Sequence, residues 1–356
     1  GGVDSSYITA AMMPQKTFSV GFDYHKFDET NYAKELSDRL GIQNFREMLT
    51  AEECFEALPT IQYHMDEPQS NPSSVPLYFL AKLASEHVTV VLSGEGADEI
   101  YAGYEWYDIW PNARAYQKIP RCIRTLLSRV VRHLPYFHGH DLIVRSSGCP
   151  KDYFIGQAEV YRPKEADALL QDAYRVGPTP RKITAPIYER VRGKDELSQK
   201  QYLDLNLWMP GDILLKADKM SMAHSLELRV PFLDRKVMAQ AQTIPPRYKI
   251  NGKNTKYVMR MAANKTLPDD WANRPKKGFP VPIRYWFTEE KWYQYAKSYF
   301  CSDYAAEFFH TERLMKLLDA HYRGEANNGR KIWTALVFLV WYKRFFVDEQ
   351  SEASSL

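Results

Sequence analysis

Hydrophobic and polar positions change period along this chain. Thr17 to Phe22 (Thr-Phe-Ser-Val-Gly-Phe) reads as a buried strand, whereas Glu29 to Leu40 places its apolar residues at helical spacing and runs into Gly41, a good C-cap. Gln43 to Leu49 is the next candidate strand, and helices are expected over Glu52 to His64 and Val75 to His87. Val88 to Leu92 is a continuous apolar run of the kind found in a central parallel strand. Strands alternating with helices predict an α/β fold, a doubly wound parallel sheet with helices on both faces. Ligands of such sheets sit beyond the carboxyl ends of the strands.

The rear of the chain reads differently. Leu203 to Ala223 is expected to be a long, mostly buried helix, broken or kinked at Pro210 and Gly211. Lys331 to Val347 is an apolar, aromatic final helix suited to packing, and the tail from Asp348 looks frayed. Residues 105–198 are rich in Arg, Tyr and Pro, carry no readable motif and are taken as helical covering. The expected organisation is an α/β core over 1–104 lacking its first strand, a covering segment over 105–198, a helical remainder over 199–347, and a tail over 348–356.

Composition narrows the class. The chain has 356 residues, 45% of them apolar and 26% charged, as in ordinary folded proteins. A net charge of +3 is too near neutral to imply nucleic acid. No apolar run approaches the ~20 residues that span a bilayer. Cys54, Cys122, Cys149 and Cys301 lie far apart, form no metal-ligand pair and read as reduced cytosolic thiols.

Chemistry concentrates in a few loops. Gly1-Gly2-Val3-Asp4-Ser5-Ser6 opens a helix. Its glycines allow close approach to an anion, its hydroxyls donate, and the first-turn amides favour negative charge. Asp4 should repel a bare phosphate, so it suggests a bridging metal ion. Taken alone, the stretch also fits ordinary turn and N-cap chemistry. No strand precedes it and there is no start methionine, so the chain reads as the rear part of a longer protein. After Leu92 comes Ser93-Gly94-Glu95-Gly96-Ala97-Asp98-Glu99, in which three carboxylates fall within five residues. That clustering suits a metal–phosphate site or proton transfer, the alternative being a solvated acidic turn. Lys216, Asp218 and Lys219 sit in an apolar setting, and Glu227, Arg229 and Asp234 are expected to form a buried structural network. Gly252-Lys253-Asn254-Thr255-Lys256 opens a helix, and lysines there oppose its dipole, which hints at a nearby anion. Arg274, Lys276 and Lys277 add positive charge.

Gly-Gly-Val-Asp-Ser-Ser at 1–6, Ser-Val-Gly-Phe at 19–22, Ser-Gly-Glu-Gly-Ala-Asp-Glu at 93–99, Lys-Met-Ser-Met-Ala at 219–223, Arg-Val-Pro-Phe-Leu-Asp at 229–234 and Gly-Lys-x-x-Lys at 252–256 follow one another in this order. Together they closely resemble the synthetase domain of glutamine-hydrolysing asparagine synthetases, over Gly1 to about Trp286. The resemblance implies the PP-loop ATP pyrophosphatase version of the doubly wound sheet. It implies adenylation of the aspartate side chain by ATP, then displacement of AMP by ammonia. The ammonia would come from an N-terminal glutaminase domain outside this sequence. Position by position, Gly1, Gly2, Asp4, Ser5 and Ser6 match the pyrophosphate-gripping loop, with Asp4 and Asp98 as Mg²⁺ ligands. Val20 and Gly21 at the strand end would meet adenine through the backbone, and Ser93 and Gly94 would meet the nucleotide. Glu95 matches the acid of the acyl-adenylate step and Lys256 the lysine that stabilises charge at the adenylating centre. Lys216 stands where relatives carry a phosphate-contacting cation, while Lys253 and Arg274 match less well. A cytoplasmic location and a homodimer are further implications.

Two departures from the pattern stand out. The leading serine of the phosphate loop is absent, and Asn71 occupies a position where aspartate is frequent, in a segment expected near the acceptor. The acceptor therefore stays open between aspartate, cell-wall diaminopimelate and a secondary metabolite. Lys256 in place of a Tyr–Glu dyad argues against β-lactam closure. A non-catalytic scaffold is the remaining alternative.

Overall fold

The computed structural model describes residues 2–24, 27–107, 113–116, 118–131, 134, 137, 139–146, 149–156, 159–275 and 278–348. Gly1, Lys276, Lys277 and the tail beyond Asp348 lie outside the described residues. The fold is mixed α/β and mostly helical, with parallel strands.

The front of the chain runs α1 (Val3–Met12), β1 (Lys16–Phe22), α2 (Thr30–Leu40), β2 (Gln43–Leu49), α3 (Ala51–Met65), α4 (Ser74–Ser85), β3 (Val90–Leu92) and α5 (Ala97–Tyr101). These bounds follow the expected elements to within a few residues. Gly41 ends α2 at φ +70°, as its C-cap position predicts. Thr50 and Glu53 start α3 with a reciprocal capping box, the Thr50 hydroxyl accepting from the Glu53 N–H and the Glu53 carboxylate accepting from the Thr50 N–H. β1 pairs in parallel with β2, from Lys16 opposite Gln43 to Phe22 opposite Leu49, and α2 makes the crossover that parallel strands require.

The described strands form two parallel pairs, and β3 departs from the expected central strand. It pairs in parallel with β4 (Glu227–Arg229). Val90 and Leu92 remain 44% and 39% exposed. Alternate residues of a strand face opposite sides. Val91 packs on Ala81, Ala84 and Leu226, whereas Val90 and Leu92 point the other way, so the apolar run overstated burial.

The later helices that bear on the site and its surroundings are α6 (Arg121–Val131), α7 (His140–Arg145), α8 (Glu196–Asn206), α9 (Leu214–Met222), α10 (Arg235–Thr243), α11 (Tyr257–Ala263), α12 (Glu290–Phe300), α13 (Thr311–Tyr322) and α14 (Gly329–Tyr342), with further helices such as Pro163–Leu169 and Pro180–Arg190 among them. The expected break near Pro210 and Gly211 is a π-helical turn over Met209–Ile213 that joins the α8 region to α9. The network expected of Glu227, Arg229 and Asp234 is not buried. Glu227 and Arg229 pair at 3.4 Å on the surface, and Asp234 caps α10 by accepting from the Lys236 N–H. Their alternation along a partly exposed edge strand turns these side chains to solvent.

The largest core joins front to rear. Phe22, Phe55 and Leu58 pack with Trp286, Trp292, Phe300, Leu318, Trp333 and Leu336, with Phe55 stacked on Trp292 at 4.2 Å. This holds α14 inside the protein, in agreement with its packing role. A second core of Val3, Leu36, Ala97, Ile100, Phe232, Met259 and Trp271 ties α1, α5 and α11 to one another. It fixes the elements that carry the site. Among the described residues no helix is long and apolar enough to cross a membrane.

Candidate active site

The site forms where the start of α1 meets the loop between β3 and α5. Gly2 is the N-cap of α1, in extended conformation, and Asp4 lies in the first turn. Gly94 lies against that turn. A Cβ there would fall 2.8 Å from the Asp4 Cβ and 2.9 Å from the Ser5 nitrogen, so the close approach of the two backbones depends on glycine. Ser93 is anchored by its N–H to the Arg229 carbonyl, and its hydroxyl accepts from the Glu95 N–H. Gly96, at φ +88°, turns the chain into α5. Ser6 is buried and Ser5 exposed.

Lys256 closes one side of this junction. It sits at the N-cap of α11 with φ +52°, a strained backbone for a long side chain. Its side chain is fully buried and its ammonium lies 2.5 and 2.6 Å from the two Asp4 oxygens and 2.7 Å from Asp98 Oδ1. The anion that the lysine-rich helix start hinted at is, in this structure, a pair of aspartates. Gly103 seals the cluster from behind, where a Cβ would fall 1.9 Å from Asp98 Oδ1 and 2.1 Å from the Lys256 Cε. The Gly103 N–H bonds the Asp98 carbonyl, and Ala102 at φ +59° makes that turn. Asp4 and Asp98 thus converge on one point, a hard-oxygen pair of the kind Mg²⁺ takes alongside phosphate oxygens and water.

The other side is a polar pocket around Glu95. Burial pushes its carboxyl up to about 6, with Lys216 opposing the shift and Asp212 adding to it. Glu95 Oε2 is sealed from solvent and has no hydrogen-bond partner within the protein. Lys216, buried on α9, donates to the Ser73 hydroxyl at 3.0 Å. Asp212, in the π-helical turn, accepts from the Asn71 side-chain amide at 2.6 Å, and burial raises its carboxyl. The other end of Asn71 accepts from the Ser73 N–H and hydroxyl. An aspartate at 71 would set two carboxylates face to face, so the amide suits the Asp212 beside it.

Glu99, the third acid of the loop, is buried and takes its hydrogen bond from elsewhere, although Asp98 and Lys256 lie close enough to influence it. It accepts from the Tyr104 hydroxyl at 2.6 Å, and burial lifts its carboxyl to about 7. Behind it Asp204, fully buried on α8, accepts from Tyr107 at 2.5 Å and is raised to about 7 for the same reason. Neither Asp212 nor Asp204 stood out from the sequence. Asp212 carried one signal, an acid four residues before Lys216 in an apolar stretch; Asp204 carried none.

Several expected residues lie apart. Val20 and Gly21 are on β1, in register with Glu47 and Met48. The Val20 side chain is in the main core, so a nucleotide would meet this strand through its backbone. Arg274 pairs with Glu29 at 3.0 Å and stacks over Tyr32, which commits it to α2. Lys253 is exposed, and Lys219 pairs with Asp66.

Known proteins similar to this chain point the same way. Glutamine-hydrolyzing asparagine synthetase 1 of Bacillus subtilis is 38% identical over 361 residues, covering 99% of this chain and 57% of the relative. A putative glutamine-hydrolyzing asparagine synthetase of Mycobacterium bovis is 36% identical over 350 residues, covering 97% of this chain and 54% of the relative. Asparagine synthetase B of Escherichia coli is 23% identical over 308 residues, covering 80% of this chain and 40% of the relative. The chain thus spans little more than half the length of the first two. The profile described as asparagine synthase matches residues 1–343, nearly the whole chain, and with these identities it shows that the chain belongs to the asparagine synthase family.

Proposed function

We propose that this chain catalyses ATP-dependent amidation of the aspartate side chain through a β-aspartyl-AMP intermediate, releasing pyrophosphate and AMP. One observation carries the reading. Glu95, a half-buried carboxylate whose Oε2 is sealed without a hydrogen-bond partner in the protein, lies on the same short loop as Asp98, which joins Asp4 and Lys256 at the start of α1. The first supplies a base poised near neutrality, and the second supplies charge for phosphates.

In the first step a β-carboxylate oxygen of aspartate attacks the α-phosphorus of ATP and the bond to the leaving pyrophosphate breaks. Gly2, Ser5 and Ser6, with the amides opening α1, receive the pyrophosphate, and Gly1 is proposed to join them. Lys256 offsets the negative charge that develops there. Asp4 and Asp98 would hold Mg²⁺, which would neutralise phosphate charge when bound. Ser93, Gly94 and the backbone of Val20 and Gly21 are proposed nucleotide contacts, on a fold of the PP-loop type whose strands come from residues 1–104 together with β4. In the second step ammonia attacks the acyl carbon, AMP departs, and Glu95 takes the proton released from nitrogen. Lys216 holds the adenylate phosphate or the acceptor carboxylate beside Ser73. Glutamine hydrolysis elsewhere in the full-length enzyme would provide the ammonia, and a cytoplasmic homodimer is part of the same reading.

Pyrophosphate release from ATP and Mg²⁺, with ammonia and either aspartate or a diaminopimelate-containing peptide, tests the proposal in the full-length protein. Release that depends on aspartate, with asparagine formed, is the expected result. Release with the peptide alone would keep the chemistry and change the acceptor. No release with either acceptor would leave a scaffold as the better reading.

A further inference from the structure

Helix α6 is built inside out. Its buried positions include Ser128 and Val131, with Thr125 and Arg124 half-buried; Arg124 donates to the Ser146 carbonyl just beyond α7. The aliphatic residues face the other way. Ile123, Leu126, Leu127 and Val130 are 47%, 61%, 41% and 55% exposed, and Leu134 and Phe137 continue the apolar surface at 50% and 39%. An ordinary surface helix buries its apolar stripe against the core. Here the stripe is turned to solvent, and contiguous exposed apolar patches mark interaction surfaces.

The charge around the stripe says what it meets. Seven Lys or Arg and a single Asp fall between Ala113 and Arg145, so this stretch is more positive than the entire chain at +3. Arg121 and Arg129 lie exposed on α6 itself, and Lys118 lies exposed just before it. A second copy of this chain docking stripe to stripe would bring two equally basic surfaces together, so like charges would repel across the seam. A protein partner would need both an apolar groove and acidic rims. An anionic bilayer surface meets both requirements at once, because acyl chains accept a convex stripe of any shape and the headgroups supply negative charge.

We propose that α6 is a peripheral docking element for anionic membrane surfaces, with Ile123, Leu126, Leu127 and Val130 entering the headgroup–acyl boundary and Arg121 and Arg129 meeting lipid phosphates or carboxylates. The surface is independent of the proposed chemistry, since none of these residues belongs to the site.

Flotation of the purified protein with vesicles tests it directly. Vesicles of phosphatidylcholine mixed with phosphatidylserine should carry the protein upward, pure phosphatidylcholine should not, and added salt should weaken the binding. Leu126→Glu should lower the bound fraction roughly tenfold, and Arg129→Glu about threefold, with circular dichroism unchanged because both side chains are exposed. Failure to float with anionic vesicles, equal binding to both vesicle types, or full binding by Leu126→Glu would each overturn the proposal. A dimer in solution that Leu126→Glu dissociates, without vesicle binding, would overturn it in favour of a second copy.

Discussion

Two charged clusters flank the Ser93–Glu99 loop, and they are built on opposite principles. On one side Asp4 and Asp98 are both ion-paired to one ammonium, that of Lys256, which lies within 2.7 Å of each carboxylate. On the other, Glu95 is half-buried with one oxygen sealed and unpaired, although Lys216 and Asp212 lie close enough to influence it. The first arrangement is stable until something competes for its charges. The second is held at a cost, because an unpartnered buried carboxylate is disfavoured by desolvation. One loop thus carries both an ion-paired aspartate and a carboxylate oxygen left without a protein partner.

The two clusters should differ most under substitution at Lys256. Lys256→Ala removes the buried ammonium that Asp4 and Asp98 share, leaving Arg260 as a cation that senses both, and should cost about 3–5 kcal/mol of stability as well as abolish adenylation. Urea unfolding and pyrophosphate release would measure both, and unchanged values would remove Lys256 from each role. Glu95→Gln should do the reverse to stability. At pH 8, above the raised value of about 6, it removes an ionised buried group, so the variant should unfold no earlier than the parent. Its rate of amide formation should nonetheless fall by about 10²-fold or more while ATP binding persists. Normal synthesis would show that the base lies elsewhere.

Gly103→Ala perturbs the ion-paired cluster more gently. The added methyl must displace Asp98 or Lys256, and should cost about 1–3 kcal/mol while leaving the Glu95 pocket in place. A rise in the Mg²⁺ concentration needed for half-maximal activity would report the same disturbance. The smallest effect is expected from the acids behind the loop. Asp204 and Glu99 are both raised to about 7, so the folded state holds protons that the unfolded chain has released. Their stabilising contribution is complete below the unfolded carboxylate range and is lost as pH rises toward 7. Melting temperature should therefore fall as pH is raised from weakly acidic conditions through about 7, where both groups ionise in the folded state. Asp204→Asn should flatten that slope, and an unchanged slope would assign it to other groups.

Much of the local structure is legible in the sequence because its causes are local. Gly41 stops α2, Thr50 and Glu53 start α3, and Pro210 and Gly211 disturb the helix they interrupt. The motif residues at 93–99 and 252–256 lie on segments that the fold brings into contact through Asp98 and Lys256. Where sequence and structure disagree, the cause is shared. Val88 to Leu92 and Glu227 to Asp234 read as buried by composition, but burial depends on what lies across each face. The same is true of α6, whose apolar stripe gave no hint that it would face outward.

By itself the sequence determined the order of strands and helices from Thr17 to Leu92, the glycine that ends α2, and the family to which six ordered motifs belong. Only the tertiary structure decided which charges meet. Asp4 and Lys256 are 252 residues apart along the chain and 2.5 Å apart in space. Asp98 and Glu99 are neighbours in sequence, yet one joins that ion cluster while the other turns to Tyr104. Helix and turn preferences act through a few adjacent bonds, whereas Coulomb attraction and desolvation act through distance and burial, which are set only when the cores close.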